Sequence, residues 1–371
     1  MKIALLSYST KPRGGVVHTL ALAEALAAAG EDVTVWTLGR GGDSGFFRPV
    51  DPAVRQEIVP FPDRDGEDVG ARILRSIETL RAAFDPVGYD IVHAQDCISA
   101  NAVSRCVRTV HHIDHFTTPE LIACHERAIR EPFAHLCVSA AVAEELRQGW
   151  GIQADVIPNG VDSRRFELAA EDVLGLRRWR SRLGRYVLAV GGIEPRKGTL
   201  DLLEAYALLR ESDPDLELVL AGGETLFDYR DYRARFDARA AELGVEPVVL
   251  GPIQHDELPS LVAAASAFAF PSTKEGFGLA AMEALAAGVP VVTRDLPVLR
   301  EVFGTAARFA ADPAGFAAQL RAALAEPGSF QAAGQALAAG YSWEKAAASH
   351  VLLYRRLLEQ SRQLVAPRPG G

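Results

Sequence analysis

The sequence predicts an α/β protein of two doubly wound domains, each built on a parallel sheet, that face a central cleft. The chain has 371 residues, more than a single hydrophobic core usually serves. Short apolar runs alternate with glycine-containing loops and with apolar residues at helical spacing, which is the pattern of repeated strand–helix units. A Pro-Asn-Gly turn at residues 158–160 interrupts the series, and this turn chemistry marks the boundary between the two domains.

The first series of elements begins with a strand at residues 3–6, because a short continuous apolar run is typical of a strand covered on both faces. A loop with Gly14 and Gly15 follows it, and helical spacing predicts a helix over 16–29 that Gly30 ends. With the next strand this makes a βαβ unit. The same reasoning predicts strands at 33–38, 56–59, 90–94, 108–112, 136–139 and 156–157, and helices at 72–84, 120–130 and 141–150.

A second series of similar construction follows the turn at 158–162. Its predicted strands lie at 186–190, 216–221, 248–250, 267–270 and 290–293, and its helices at 200–210, 229–243, 257–265 and 279–287. Apolar residues at helical spacing after Trp343 predict a last amphipathic helix. We therefore divide the chain into an N-terminal domain over 1–160, a C-terminal domain over 161–345 and a C-terminal helical segment over 346–365.

Composition excludes several functional classes. The formal net charge of -9 argues against a nucleic-acid binder, which needs a surplus of cations to meet phosphates. The four cysteines have no C-x-x-C spacing, so neither structural zinc nor a redox dithiol is indicated. The N-terminus lacks the apolar region and the cleavage site of a signal peptide, and no window has the apolar length of a membrane span. We expect a cytoplasmic protein.

The most informative segment runs over residues 271–283, where a predicted buried strand leads into a helix. Its two glycines allow the backbone to approach a ligand closely. The amide groups of Phe277, Gly278 and Leu279 lie at the start of the helix, where N–H groups without helical partners attract anions. This pattern predicts an anion site.

Two carboxylates frame the same helix start. Glu275 precedes the helix and is predicted to stand at the mouth of the cleft. Glu283 lies just over one turn inside a largely apolar helix, where a carboxylate needs partners. Ribose hydroxyls would serve as well as an arginine, and a solvated glutamate in an ordinary helix is the alternative that the pattern leaves open.

A second strand-to-helix junction carries paired cations. Arg196 and Lys197 follow Gly191 and Gly192 there. They would hold a diphosphate leaving group and stabilise the negative charge that develops as a sugar departs. A solvated basic turn is the alternative interpretation.

The first glycine loop and the histidines carry weaker signals. Gly14 and Gly15 do not form a G-x-G-x-x-G motif, and no acidic residue ends the second strand, which weakens a nicotinamide interpretation. His111, His112 and His115 have a spacing compatible with a metal, but no matching ligand set accompanies them, so we expect no metal. One histidine at a strand end would instead reach a substrate. No P-loop, G-x-S-x-G or H-E-x-x-H sequence occurs.

Taken in order, these motifs resemble the retaining glycosyltransferases of family 4, which have the GT-B fold of two Rossmann-like domains. The resemblance covers nearly the whole chain. The segments that carry it are 14–15, 109–111, 157–162, 195–198, 249–253, the E-x7-E motif at 275–283, and 341–343. Any one of them is weak evidence, and their agreement in order carries the inference.

The resemblance implies a role for each candidate residue. Glu283 would bind the ribose of a nucleotide-sugar donor, and Glu275 would contact the sugar hydroxyls. Lys197 and Arg196 would neutralise the diphosphate. The other implied donor contacts are the amides of Phe277, Gly278 and Leu279, the backbone of Ile253 at the base, Gly14 and Gly15 beside the phosphate and anomeric carbon, His111 at the sugar, and Gly223 at a strand end. The last helix would return to pack on the first domain.

The resemblance also implies retention of the anomeric configuration by a front-face mechanism, in which the leaving phosphate helps to deprotonate the acceptor. It implies neither a metal nor a cofactor, since the nucleotide sugar is itself a substrate. One position departs from the family pattern: Gly192 stands where the family usually has arginine. One diphosphate cation is therefore missing from its usual place, and Arg196 would approach from a different direction.

We therefore predict a retaining transferase that uses a UDP- or GDP-sugar. A non-catalytic binder of sugar nucleotides, another GT-B enzyme and an NAD-linked oxidoreductase are the alternatives. The acceptor, whether a small molecule, a lipid or a glycan, is not fixed by the sequence. Arg105, Arg127 and Arg130 form either a basic patch for an anionic membrane or phosphorylated acceptor, or a solvated surface. A peripheral contact with the inner face of the membrane is the corresponding expectation.

Overall fold

The computed structural model describes residues 1–103, 105–114, 116, 119–223 and 229–365, and these form two units, each with its own sheet. One unit comprises Met1–Gly160 together with the chain from Trp343 onward, and the other comprises Val161–Ser342. The last helix begins at Trp343, so the predicted boundary at 345–346 lies inside it. A Cβ atom at Gly160 would stand 2.4 Å from the backbone nitrogen of Trp343, which shows how tightly the start of this helix packs on the end of the first stretch of chain.

The first unit contains a parallel sheet of seven strands in the order β3-β2-β1-β4-β5-β6-β7. The strands are β1 (Lys2–Leu6), β2 (Asp32–Arg40), β3 (Arg55–Phe61), β4 (Ile91–Ala94), β5 (Val107–Val110), β6 (Ala134–Cys137) and β7 (Asp155–Val156). Its helices are α1 (Gly14–Ala28), α2 (Val69–Ala83), α3 (Cys97–Ala102), α4 (Pro119–Arg130), α5 (Ala140–Trp150) and the last helix, α15 (Trp343–Val365). In the centre of the sheet, Leu6 pairs with Trp36 on one side and with Ala94 on the other.

The core of this unit joins the sheet to α1 and α15. Ile3 and Leu5 from β1 pack with Leu20 of α1 and with Val351 and Tyr354 of α15. The packing includes a polar contact, because the Tyr354 hydroxyl lies 2.7 Å from Nδ1 of the buried His93. The last helix is therefore an integral layer of the first unit.

The second unit contains a parallel sheet of six strands in the order β10-β9-β8-β11-β12-β13. The strands are β8 (Arg185–Val190), β9 (Leu216–Ala221), β10 (Val248–Gly251), β11 (Ala267–Phe270), β12 (Val291–Arg294) and β13 (Arg308–Ala310). The helices are α6 (Ser163–Glu171), α7 (Val173–Leu183), α8 (Thr199–Arg210), α9 (Arg230–Leu243), α10 (Leu258–Ala264), α11 (Leu279–Ala286), α12 (Pro297–Phe303), α13 (Pro313–Ala325) and α14 (Gln331–Gly340), with a short 3-10 helix at Pro195–Lys197.

These two doubly wound sheets confirm the predicted fold class. In each sheet the strand order reverses beside the first strand, between β1 and β4 and between β8 and β11. Open parallel sheets bind ligands outside the carboxyl ends of their strands at such a reversal. In the second unit the loops that start at Gly191 and Pro271 therefore occupy the expected binding edge.

Several local predictions differ from the structure. The helix predicted from residue 16 begins at Gly14, so Gly14 and Gly15 form its first turn rather than a loop ahead of it. Helices α3, α6, α7, α12, α13 and α14 and strand β13 were not predicted. Among the described residues, no helix combines the length and apolar character needed to cross a membrane.

Candidate functional site

The loop after β8 is packed tightly against the end of β9. The amide of Gly191 donates to the carbonyl of Ala221 at 2.8 Å. A Cβ atom at Gly222 would stand 2.3 Å from the carbonyl carbon and oxygen of Gly191, so no larger residue fits at Gly222. A Cβ atom at Gly191 would come within 3.2 Å of Cε of Lys197. The bare glycine backbone therefore leaves room for the lysine side chain.

The 3-10 helix that carries the two cations is attached to the loop after β11. Gly198 has a φ of +64°, and a Cβ atom there would lie 2.2 Å from the carbonyl oxygen of Pro271. The amide of Thr273 donates to the carbonyl of Arg196 at 2.8 Å. These contacts bring the two predicted site segments together at the carboxyl edge of the sheet.

Glu275 pairs with both cations. Its Oε1 atom lies 2.7 Å from Nζ of Lys197 and 3.1 Å from Nη1 of Arg196. Arg196 also reaches Oε1 of Glu194 at 3.3 Å. Only 18% of the Lys197 side chain and 11% of the Glu275 side chain are exposed, so this is a largely shielded ion pair. The sequence predicted separate ligands for Glu275 and the cations, whereas the structure shows that they bind each other.

Ser272 is a polar residue at this edge that the sequence reasoning missed. It is 1% exposed, and its hydroxyl has no hydrogen-bond partner among the described residues. It lines a cavity of about 10 Å³ together with Gly191, Gly192 and Lys197, which is room for about one water molecule. Its place two residues after a buried strand, at the reversal of strand order, is the signal that could have identified it.

The start of α11 requires glycine and presents free positive potential. Gly278 precedes the helix with a φ of +95°, and a Cβ atom there would lie 2.9 Å from Cζ of Phe303. No side chain among the described residues caps the helix start, and its first turn contains no acidic residue. The preceding Phe277 is buried and contacts the ring of Tyr341 edge-on at 5.2 Å. The helix amides therefore remain available to an anion.

Glu283 is a partly buried carboxylate on α11. Burial raises its pKa to about 7, while the charge of Arg165 opposes this rise and that of Asp162 adds to it. Within the described part of the chain no donor hydrogen-bonds to its carboxylate. Arg165, which the sequence reasoning also missed, donates to the carbonyl of His255 in the loop after β10. Arg165 lies in the first turn of α6, after the N-cap Asp162, and this position in the sequence does not indicate that it lies near Glu283.

The two remaining candidates of the second unit lie beside one another. Gly223 follows β9, and a Cβ atom there would lie 3.1 Å from Cγ of Pro252. Ile253 follows Pro252 and is half-buried. Residue Glu224, next to Gly223, lies outside the described residues.

The other candidates, Gly14, Gly15 and His111, belong to the first unit. A Cβ atom at Gly15 would stand 3.9 Å from Nε2 of His111, and the His18 ring contacts His111 edge-on at 4.7 Å. Burial lowers the pKa of His111 well below its usual range, so the ring is neutral at physiological pH. His115 lies outside the described residues, and among the described ones no group of three or more His, Cys, Asp and Glu side chains is placed to hold a metal ion.

The three arginines of the predicted basic patch have local partners. Arg130 pairs with Glu126, and Nε of Arg127 donates to Oδ1 of Asn101 at 3.0 Å. Arg105 lies over the ring of Phe133 at 4.8 Å. These contacts favour the alternative of an ordinary solvated surface.

Comparison with known proteins decides the family. The model of the glycosyl transferases group 1 matches residues 181–336, and that of glycosyltransferase family 4 matches residues 12–165. The chain belongs to the group 1 glycosyltransferases. This membership and the two parallel-sheet α/β units confirm the family and the fold that the motifs resemble.

Relatives and solved structures agree with this family. The chain is 29% identical to glycogen synthase of Mycobacterium tuberculosis, over 98% of this chain and 96% of the relative. It is also 29% identical to a D-inositol 3-phosphate glycosyltransferase of Mycolicibacterium vanbaalenii, over 97% of this chain and 91% of the relative. Among solved structures, HepE of Anabaena with UDP and glucose is 21% identical with a TM-score of 0.75, covering 96% of this chain and all of its own. Sucrose-phosphate synthase of Thermosynechococcus elongatus is 21% identical with a TM-score of 0.78, covering 97% of this chain and all of its own.

Proposed function

We propose that this glycosyltransferase moves a sugar from a UDP- or GDP-sugar to an acceptor hydroxyl, with retention of the anomeric configuration and without a metal ion. The bond between the anomeric carbon and the diphosphate oxygen breaks, and a bond to the acceptor oxygen forms. The acceptor hydroxyl passes its proton to the departing diphosphate oxygen, and the nucleoside diphosphate leaves.

The observation that carries this proposal is the placement of two cations and a helix start at the carboxyl edge of the second sheet. Lys197 lies against the bare backbone of Gly191, and Arg196 precedes it, at the reversal of strand order. The uncapped start of α11 follows Glu275, which both cations contact. A diphosphate needs such cations and amides as its negative charge grows during departure of the sugar. The cations would supply the neutralisation that a metal supplies in other transferases.

Glu283 supports the nucleotide part of the proposal. A partly buried carboxylate without a hydrogen-bond donor among the described residues is unfavourable. Two ribose hydroxyls would donate to it and favour its ionised form. This assigns Glu283 to the ribose, Glu275 to the sugar and the cations to the diphosphate.

The comparisons support the donor more than the acceptor. HepE was solved with UDP and glucose and with UDP-glucose, which favours a uridine donor here. The relatives are named for different reactions, including glycogen synthesis and transfer to D-inositol 3-phosphate, and so they do not select one acceptor.

A ligand screen tests the proposed donor class against its alternatives. We expect UDP or GDP to raise the thermal denaturation midpoint and NAD to leave it unchanged, because the glycine pattern suits a diphosphate and not a dinucleotide. Stabilisation by NAD alone would refute the proposal. Consumption of a UDP- or GDP-sugar then distinguishes an enzyme from a non-catalytic binder, the alternative suggested by Gly192 at a position where the family usually has arginine.

A variant pair tests the site. Lys197→Ala should lower kcat by about a hundredfold, the usual effect of removing one group that stabilises a developing oxyanion, with a smaller loss of donor affinity. Lys345→Ala, an exposed lysine on α15, serves as the matched control and should retain the wild-type kcat. An unchanged kcat in Lys197→Ala would contradict the assignment.

A further inference from the structure

One buried arginine of the second unit, Arg294, contacts both of the segments that carry the candidate donor site. It is the last residue of β12 and is 8% exposed, and the sequence reasoning did not identify it. Its neighbour Thr293 pairs with Phe270, the last residue of β11. Arg294 therefore stands beside the carboxyl end of β11, where the loop to α11 begins.

The guanidinium group of Arg294 holds the first residue of this loop. Its Nε and Nη2 atoms donate to the carbonyl of Pro271 at 3.1 and 2.9 Å. The same carbonyl oxygen is the atom against which the other segment packs, because a Cβ atom at Gly198 would lie 2.2 Å from it and 3.0 Å from Nη2 of Arg294. Arg294 thus fixes the point at which the two segments meet.

The same guanidinium group reaches the start of α8, which begins two residues after Lys197. Its Nη2 atom pairs with the carboxylate of Asp201 in the first turn of that helix. Its Nη1 atom donates to the carbonyl of Ala311, just after β13, at 2.9 Å. A planar guanidinium makes these bonds in fixed directions, which the ammonium group of a lysine on its flexible stem does not reproduce.

We propose that Arg294 is a positioning residue of the donor site, which sets the place of Lys197 relative to the loop after β11. This inference rests on the proposed function, which assigns Lys197 to the diphosphate. By holding Pro271 and Asp201 together, Arg294 keeps the two strand-to-helix segments at a fixed separation. The ammonium group then meets the departing diphosphate oxygen without a prior rearrangement of the backbone. A displacement of about 1 Å in such a group can lower the rate about a hundredfold.

Amide hydrogen exchange tests this role of Arg294 without any substrate. The amide of Thr273 joins the two segments, since it donates to the carbonyl of Arg196 at 2.8 Å. Arg294→Lys keeps the positive charge but loses the forked geometry. We expect it to raise the exchange rate of the Thr273 amide at least about tenfold, while the amides of β9 exchange as in the wild type. An unchanged rate at Thr273, or an equal rise in β9 that reflects a general loss of stability, would overturn the proposal.

Donor turnover tests whether Arg294 acts through Lys197. With a UDP- or GDP-sugar, we expect Arg294→Lys to lower kcat at least about tenfold. The donor KM should change far less, because the departing diphosphate carries more charge than the bound donor. In a Lys197→Ala background the same substitution should lower kcat by a much smaller factor, since effects within one contact network are not additive. Two losses that simply multiply, or an effect confined to KM, would contradict the positioning role.

Two further variants complete the experiment. Asp201→Asn changes a side chain that is 40% exposed and keeps the test open if Arg294→Lys does not fold. It should raise the exchange rate at Thr273 and lower kcat, each by a smaller factor, and no change in either would contradict the attachment to α8. Arg233→Lys, at an exposed arginine that pairs with Asp237, is the matched control and should stay within about twofold of the wild type. Failure of the wild type to consume either donor would refute the proposed function, and exchange at Thr273 would still decide the role of Arg294.

Discussion

Replacing Glu275 by glutamine should tighten the binding of UDP. The Glu275 carboxylate lies 2.7 Å from Nζ of Lys197, so a diphosphate has to displace it before it can use the ammonium group. Glutamine has nearly the same shape but no charge, and it competes for Lys197 far less strongly. The same substitution removes a group assigned to the sugar, so turnover should fall while affinity for the product nucleotide rises.

The expected size follows from the shielding of the pair. An exposed ion pair contributes less than about 1 kcal/mol, whereas this pair is shielded on both sides, with 18% of Lys197 and 11% of Glu275 exposed. A net value near 1.4 kcal/mol corresponds to about a tenfold change in affinity. We therefore expect the UDP dissociation constant of Glu275→Gln to be about a tenth of the wild-type value.

Calorimetric titration with UDP measures this change, and a double-mutant cycle identifies its cause. In a Lys197→Met background the gain from Glu275→Gln should shrink, because the competed ammonium is gone and Glu275 then competes only for Arg196. Glu204→Gln, which removes a carboxylate paired with Arg239 elsewhere in the same unit, controls for the general change in charge. UDP binding that is unchanged or weaker in Glu275→Gln, or a gain of undiminished size without Lys197, would refute the competition.

Three further predictions concern stability. The pKa of Glu283 is raised to about 7 from its usual 4.5, so its contribution to stability is complete below pH 4.5 and is lost as the pH rises through 7. Glu283→Gln should therefore stabilise the protein without nucleotide at pH 8 by at most about 3 kcal/mol, and far less at pH 5. Thermal unfolding at both pH values checks this. Gly278→Ala should lower the free energy of unfolding by about 3 kcal/mol through backbone strain and overlap. The control Gly328→Ala, with no heavy atom within 4 Å of the new methyl group, should unfold like the wild type. Equal thermal midpoints for Gly278→Ala and the wild type would show that the turn adapts. Tyr354→Phe should cost about 1–3 kcal/mol by leaving Nδ1 of His93 without its partner, measured by urea unfolding, and a neutral result would mean that water replaces the hydroxyl.

The strands and the site segments could be predicted from sequence because their signals are local. A parallel strand covered on both faces reads as a short apolar run, as at β1 and β11. The helices that were missed lack such a signal: α7 carries four arginines within six residues, and α13 and α14 consist largely of alanine, so none of the three shows a clear apolar stripe. Helix α3 is one short stretch after its capping residue Asp96.

The arrangement within the site could be predicted only in part. The motif order placed Lys197 and Glu275 at one sheet edge, but their pairing joins residues 78 positions apart and depends on side-chain conformations that no local pattern encodes. The missing partner of Ser272 is likewise visible only in three dimensions, because a polar residue after a strand is unremarkable until its surroundings are known. The first turn at Gly14 was predicted as a loop because glycine normally weakens a helix.

The anomer released first from a nucleotide sugar tests the account most directly. Wild-type protein is incubated with UDP-glucose or GDP-mannose, and proton NMR follows the first sugar released to water before mutarotation scrambles it. Retaining transfer through the Lys197 edge predicts release of UDP or GDP with the α-anomer formed first from an α-linked donor, and little release by Lys197→Ala. A β-anomer formed first, or equal release by the Lys197 variant, would contradict it.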